Sequence, residues 1–260
     1  MLRLGGWRVI PTTPPDESEF EEQLSAFQTN VATVTRCLFA MAAINHLASQ
    51  NATLLGRLNE APDFWNLVQA ANQTTLFIAL GRIFDQNRDV RFSLDKLIGT
   101  AQRNGGAIFA ANRLADRKRR NSTNADEWLS DYLKDIYVPT PADFRALRRI
   151  RDRYRQRFES TYRPIRHEVY AHGIATRAEA MELFAETRLG DLRRIIRFLQ
   201  RLGDGLWGVY WNGHNPLHRR RFPPLSVAQL ADSLPRHGST SDQEIIVQAV
   251  RKVMDQLGKS

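Results

Sequence analysis

Arg166 and His172 stand six residues apart in the run Arg166-His167-Glu168-Val169-Tyr170-Ala171-His172. A guanidinium is always charged and its planar fork fits phosphate oxygens. An imidazole titrates near neutrality and can take or give a proton. Together they suit chemistry at a phosphodiester. On an α-helix six residues turn about 600°, which leaves the two side chains roughly 120° apart around the axis rather than stacked on one face. Glu168 precedes His172 at i,i+4, within reach of a hydrogen bond to it. The plainer alternative is a histidine that ends a core seam and an arginine paired with a nearby acid. The spacing by itself leaves both readings open.

The element that must position this run is the most periodic in the chain. From about Pro141, apolar or aromatic residues fall at Leu147, Ile150, Tyr154, Phe158, Tyr162, Ile165 and Val169, and the stripe then reaches His172. Steps of three and four make this one helical seam. It is long enough to pack against a second helix, so that His172 would face a dimer cleft. Pro164 falls inside the pattern, where it removes a backbone hydrogen bond and kinks the helix. Gly173 supplies the stop, and a helix C-terminus favours imidazolium. Arg145, Arg148, Arg149, Arg151, Arg153, Arg155 and Arg157 coat the remaining surface and lead directly into the motif.

The other segments read as helices too. After an extended, proline-rich lead-in (residues 1–15), Asp16 or Ser18 caps a helix running to about Gln50, with apolar positions from Phe20 to Met41 on one face. A second helix runs from about Asp63 to Phe84, and a third, capped by Ser93, to Asn104. Asp116 to Asn124, holding Arg117-Lys118-Arg119-Arg120, reads as an exposed, mobile basic loop. Short helices follow at 126–137, a long one at about 177–210, weakened by Gly203 and Gly205, and a last one at 241–257. No β alternation or internal repeat appears. The sequence predicts an all-α protein with a helical domain over 16–224 and a C-terminal helical extension over 225–260.

Composition narrows the partners. Lys plus Arg is 37 against 28 for Asp plus Glu, giving +9 and a pI near 10.2. That balance favours a polyanion, nucleic acid before anionic membrane. Cys37, the single cysteine, excludes an intramolecular disulfide or multi-cysteine metal site and fits a reducing cytoplasm. No stretch reads as a signal peptide or approaches the roughly 18 apolar residues of a membrane span. The sequence thus predicts a cytoplasmic location without a membrane partner. His214 and His218 have metal-like spacing, but Pro216 between them argues against a shared helix, and no metal site is expected. Phosphate loops and HExxH are absent, so nucleotide hydrolysis and zinc proteolysis have no support.

The motif from Arg166 to His172 resembles the Arg-x4-6-His signature of HEPN proteins (higher eukaryotes and prokaryotes nucleotide-binding). Its Tyr-Ala-His ending and the run Phe77-Ile78-Ala79-Leu80-Gly81-Arg82-Ile83-Phe84-Asp85 are similar to the abortive-infection branch of that family. The resemblance spans about residues 16–210. It implies an up-and-down helical bundle with long kinked helices that forms a homodimer, with the Arg and His of both chains lining one basic cleft. It further implies a metal-independent endoribonuclease without cofactor, of the toxin–antitoxin or antiphage kind, with an antitoxin or defence-system protein as partner. Carried over by position, Arg166 stabilises charge on the scissile phosphate, His172 moves the proton, and His167 assists or orients. The products would be a 2′,3′-cyclic phosphate and a 5′-hydroxyl. The arginine-rich approach, with Arg148, Arg151, Arg155 and Arg163, would hold the RNA. The alternative within the family is a non-cutting protein that binds RNA or a partner. Two positions depart from the pattern: Ile174 stands where a subset carries a modifiable Tyr, and His167 where many have Asn or Asp.

Overall fold

Pro14 and Pro15 set the start of the first helix, α1 (Pro15–Gln50). Pro15 takes the first helical position, where its missing N–H would have had no partner anyway. Asp16 and Glu17 therefore lie inside the first turn, and neither Asp16 nor Ser18 acts as the expected cap. The computed structural model describes residues 14–171, 173–215, 226–232 and 241–259. His172 and His218 lie outside them, as do Arg219, Arg220 and Arg221.

Eleven further helices follow among the described residues: α2 (Ala52–Asn59), α3 (Pro62–Phe84), α4 (Leu94–Arg103), α5 (Gly105–Ile108), α6 (Ala111–Asn121), α7 (Ala125–Tyr132), α8 (Pro141–Arg157), α9 (Arg177–Ala185), α10 (Leu189–Asn212), α11 (Val227–Asp232) and α12 (Asp242–Leu257). No strand occurs among the described residues, and the all-α expectation holds. Helix α2 is new relative to the sequence reading. The Asn51 side chain caps it by accepting from the Leu54 N–H at 3.0 Å, and Leu54 and Leu58 are buried. Ser93 caps α4 as expected, accepting from the Lys96 N–H.

Helix α1 is the centre of the bundle: α3, α4, α10 and α12 all lie against it. Its stripe Phe20, Leu24, Phe27, Val31, Val34 and Leu38 meets Leu76, Leu80 and Ile83 of α3, Leu94, Leu97 and Ile98 of α4, and Ile195, Leu199 and Leu202 of α10 in one core. By length and composition α1 would be able to cross a membrane, which qualifies the sequence expectation. Its apolar residues are spent on neighbouring helices.

Three expectations change. Residues 116–121 are not a loop: they complete α6, and Arg117 in its middle is buried. The helix expected from Arg177 to Tyr210 is two helices, broken between Ala185 and Leu189, while Gly203 lies inside α10 against the Phe27 ring, at 3.4 Å from where a Cβ would stand. The long motif helix continues past α8 as π-helix, over Phe158–Tyr162 and again over Ile165–Ala171. Between the two stretches stands Pro164, whose ring and missing N–H are incompatible with an α-helical bond to residue 160. Just before it, the Arg163 N–H reaches back five residues to the Phe158 carbonyl.

Candidate active site

The second π-helical segment lies against the C-terminal half of α3. Ile165 at its start is buried, as are Phe158 and Tyr162 of the first segment, with the Phe84 and Phe158 rings stacked at 4.9 Å. From Phe158 to Ile165 the seam is filled within the same chain, and Tyr154 before them stacks on Phe198 of α10 at 4.2 Å, so this part of it is not the open packing surface expected for a second copy. Tyr170 stacks on Phe77, centroids 5.6 Å apart, with Phe184 of α9 against both. Loss of water around its hydroxyl pushes the Tyr170 pKa up to about 12.

Arg166 emerges from this wall and runs along α3 from Gly81 toward Asp85 at its C-terminal end. Its arm lies directly over Gly81. A Cβ on that residue would stand 2.1 Å from Cδ and 2.2 Å from Nε of the arginine. Nε is buried without a hydrogen-bond partner. The side chain as a whole keeps 29% of its exposure, and its Nη2 stands 3.9 Å from Oδ2 of Asp85, the residue that closes α3. At that separation the contact is charge attraction without a hydrogen bond. The other carboxylate oxygen, Oδ1, accepts the Asn87 N–H at 2.9 Å.

The remaining motif residues are placed as follows. His167 is exposed. The Glu168 carbonyl accepts the N–H groups of Ile174 and Ala175 at 2.9 and 3.2 Å, which turns the chain out of the helix, and Gly173 between them has φ +59°. Gly173 is therefore the stop that the sequence led one to expect, in the left-handed conformation glycine tolerates. The expected contact of Glu168 with His172 lies outside the described residues. The angle of about 120° between Arg166 and His172 presumed α-helical rotation throughout, which residues 165–171 do not have.

The four arginines assigned to RNA are unequal. Arg151 and Arg155 both pair with Asp95 of α4, and Arg151 also reaches Asp152. Arg151 is buried, so this pair ties α8 to α4. Arg148 is half-buried, and its Nε is enclosed without a partner. Arg163 is exposed and pairs with Glu159 at 2.8 Å, which in turn holds Gln86 at 3.0 Å. Arg145, Arg149, Arg153 and Arg157 of α8 are exposed, the last paired with Asp191, and so are Arg82 and Arg88, which flank Asp85 in sequence. The sequence pattern did not separate these two sets, because α4 as the neighbour of α8 is a tertiary fact.

No cluster of three or more His, Cys, Asp or Glu side chains suited to a metal occurs among the described residues. His214 is exposed just beyond α10, while His218 lies outside the described residues.

The HEPN_AbiU2 family model, described as AbiU2, matches residues 17–219, from the first turn of α1 to beyond the end of α10. The chain belongs to this family. It is an abortive-infection HEPN protein, as the motif and the Phe77–Asp85 run suggested. Neither a curated protein nor a solved structure gives a significant match. The match includes Gly81, Asp85 and Arg166 and leaves α11 and α12 outside it. Gly81 and Asp85 are the residues of the site that the sequence reading did not assign. Their signal was present, since both lie on one face of α3 at i,i+4 within the run already set apart by resemblance.

Proposed function

We propose that this abortive-infection HEPN protein is a metal-independent endoribonuclease and that it acts as a toxin or antiphage effector. The observation that carries the reading is Arg166: a permanently charged group, half-exposed at the end of a rigid aromatic wall, in the position of the HEPN arginine. Its guanidinium neutralises the scissile phosphate as negative charge builds there. His172 accepts the proton of the 2′-hydroxyl as its oxygen attacks phosphorus. The bond to the 5′ oxygen breaks, that oxygen leaves with a proton, and the products are a 2′,3′-cyclic phosphate and a 5′-hydroxyl. His167, exposed beside Arg166, assists or orients. The active form is a cytoplasmic homodimer whose cleft combines groups of both chains, with an antitoxin or defence protein holding it in check. The RNA backbone follows the exposed arginines of α8, with Arg148 and Arg163 at the margin. Arg151 and Arg155 support α8 from beneath.

A second reading is favoured by the Arg166–Asp85 pair. A compensated arginine is also what a HEPN protein that binds RNA or a partner without cutting would carry. Incubation of total RNA with wild type, Arg166→Ala and His172→Ala, all in EDTA, separates the two. The nuclease reading expects cleavage by wild type alone, with cyclic phosphate ends, and loss of roughly 100-fold or more in rate in either variant. Cutting that requires a divalent ion, or that survives His172→Ala, would sink it. Retained RNA binding without any cutting favours the second.

A further inference from the structure

Glycine inside a helix is a stability loss relative to alanine, and Gly81 sits within α3, one turn before its end. What it makes room for is specific: the three nearest atoms a Cβ there would meet all belong to the Arg166 side chain. Phe77, Gly81 and Asp85 recur every four residues along one face of α3, and each engages the second π-helical segment in its own way. Phe77 stacks on Tyr170, Gly81 leaves the space filled by the arginine arm, and Asp85 faces Nη2. With Nε enclosed and unbonded, shape fixes the arm while a single charge orients its tip.

We infer that Gly81 and Asp85 are positioning residues for Arg166, the first by providing the channel in which its side chain lies and the second by holding the guanidinium end. The inference rests on the nuclease reading, because the direction of the arginine matters to rate only if it meets a phosphate. A long flexible side chain surrenders much rotamer freedom when it is held. Holding it before substrate arrives moves that loss out of the chemical step. The carboxylate is near enough to orient the guanidinium, yet without a hydrogen bond to it, so the phosphate can take its place.

Two substitutions separate this role from a structural one. Gly81→Ala puts a methyl into the channel, and the obstructing atoms are those of a flexible side chain that can swing away, so the helix itself accepts the alanine. The expected result is an unchanged or raised Tm with RNA cleavage reduced to the level of Arg166→Ala. Asp85→Asn keeps a carbonyl oxygen for the Asn87 N–H and removes only the charge. On an oligoribonucleotide that wild type cuts, kcat falls about 10- to 100-fold while KM stays within about twofold. Independently of activity, the Arg166 Nε–Hε signal in NMR exchanges slowly in wild type and fast in Gly81→Ala. Wild-type kcat in either variant, or unchanged Nε–Hε exchange in Gly81→Ala, overturns the inference. A wild type that cuts no RNA overturns the nuclease reading instead, and the exchange measurement then decides the placement of the arginine alone.

Discussion

Arg117 shows what a single residue does when it is taken out of water. Its side chain is fully buried in α6, where Nη1 donates to Glu17 at 3.1 Å and to the Ile108 carbonyl at 3.0 Å, and Nε donates to the Tyr210 carbonyl at 3.1 Å. The guanidinium lies over the Tyr210 ring at 4.0 Å, and the Tyr210 hydroxyl donates to Glu21 at 2.6 Å. Burial lowers the Arg117 pKa and raises that of Glu17, although Arg117, Arg113 and Arg120 all draw the carboxyl back toward its charged form. This network fastens the first turn of α1 to α6 and α10. Removing one partner leaves the other charge buried, so Arg117→Ala is expected to cost about 3–5 kcal/mol in urea unfolding. A loss under 1 kcal/mol, the usual worth of an exposed pair, would contradict it. A run of cations reads as a solvated loop by composition, and that is why this residue was misplaced. Arg113, Arg117 and Arg120 share one helical face turned toward Glu17, a pattern visible only once the segment is seen as helix.

The element that carries the motif was legible in its direction and not in its winding. The seam and its stop at Gly173 follow from side-chain spacing and one glycine. The π-helix does not, although Ile150, Tyr154, Phe158 and Tyr162 step by four without interruption. On an α-helix each such step drifts about 40°, and winding more loosely absorbs that drift. The exit from the element is equally local. Gly173 has φ +59° with open space around its missing Cβ, so Gly173→Ala tests backbone strain alone and should cost about 1–2 kcal/mol, with Gly173→Asn milder. Three residues on, the Thr176 N–H and hydroxyl both donate to the Glu179 carboxylate at 2.7 Å and start α9. These bonds hold the Glu179 carboxyl below its ordinary 4.5. Their contribution is therefore complete above that pH and fades as pH falls through the depressed folded value. Thr176→Ala should lower Tm at neutral pH, and the gap to wild type should narrow in acid. A gap that widens in acid would mean that Glu179 is not the partner.

At the scale of the molecule, the family match and the physical core do not end together. The matched region stops at residue 219, yet Val227, Leu230, Ala231 and Val247 belong to the same buried core as α1, α3 and α10. Helix α12 lies along α1, held at one end by Arg36 to Asp242 at 2.7 Å and by Gln243 to Gln200 at 2.9 Å. Toward the other end, Met254 closes a second cluster with Ile44, Ala48, Leu54 and Leu58. Helices α11 and α12, which the sequence reading set apart as an extension, thus cover part of the apolar surface of α1. That follows from α1, whose stripe is too wide for α3, α4 and α10 to cover alone. Shortening Met254 to alanine should therefore destabilise the whole chain by about 2–5 kcal/mol in a single urea transition. A chain ending at residue 224 should expose α1 and aggregate. If α11 and α12 were an independent appendage, Met254→Ala would leave the main transition where it was, and the shortened chain would stay monodisperse and keep whatever RNA cleavage the full chain has.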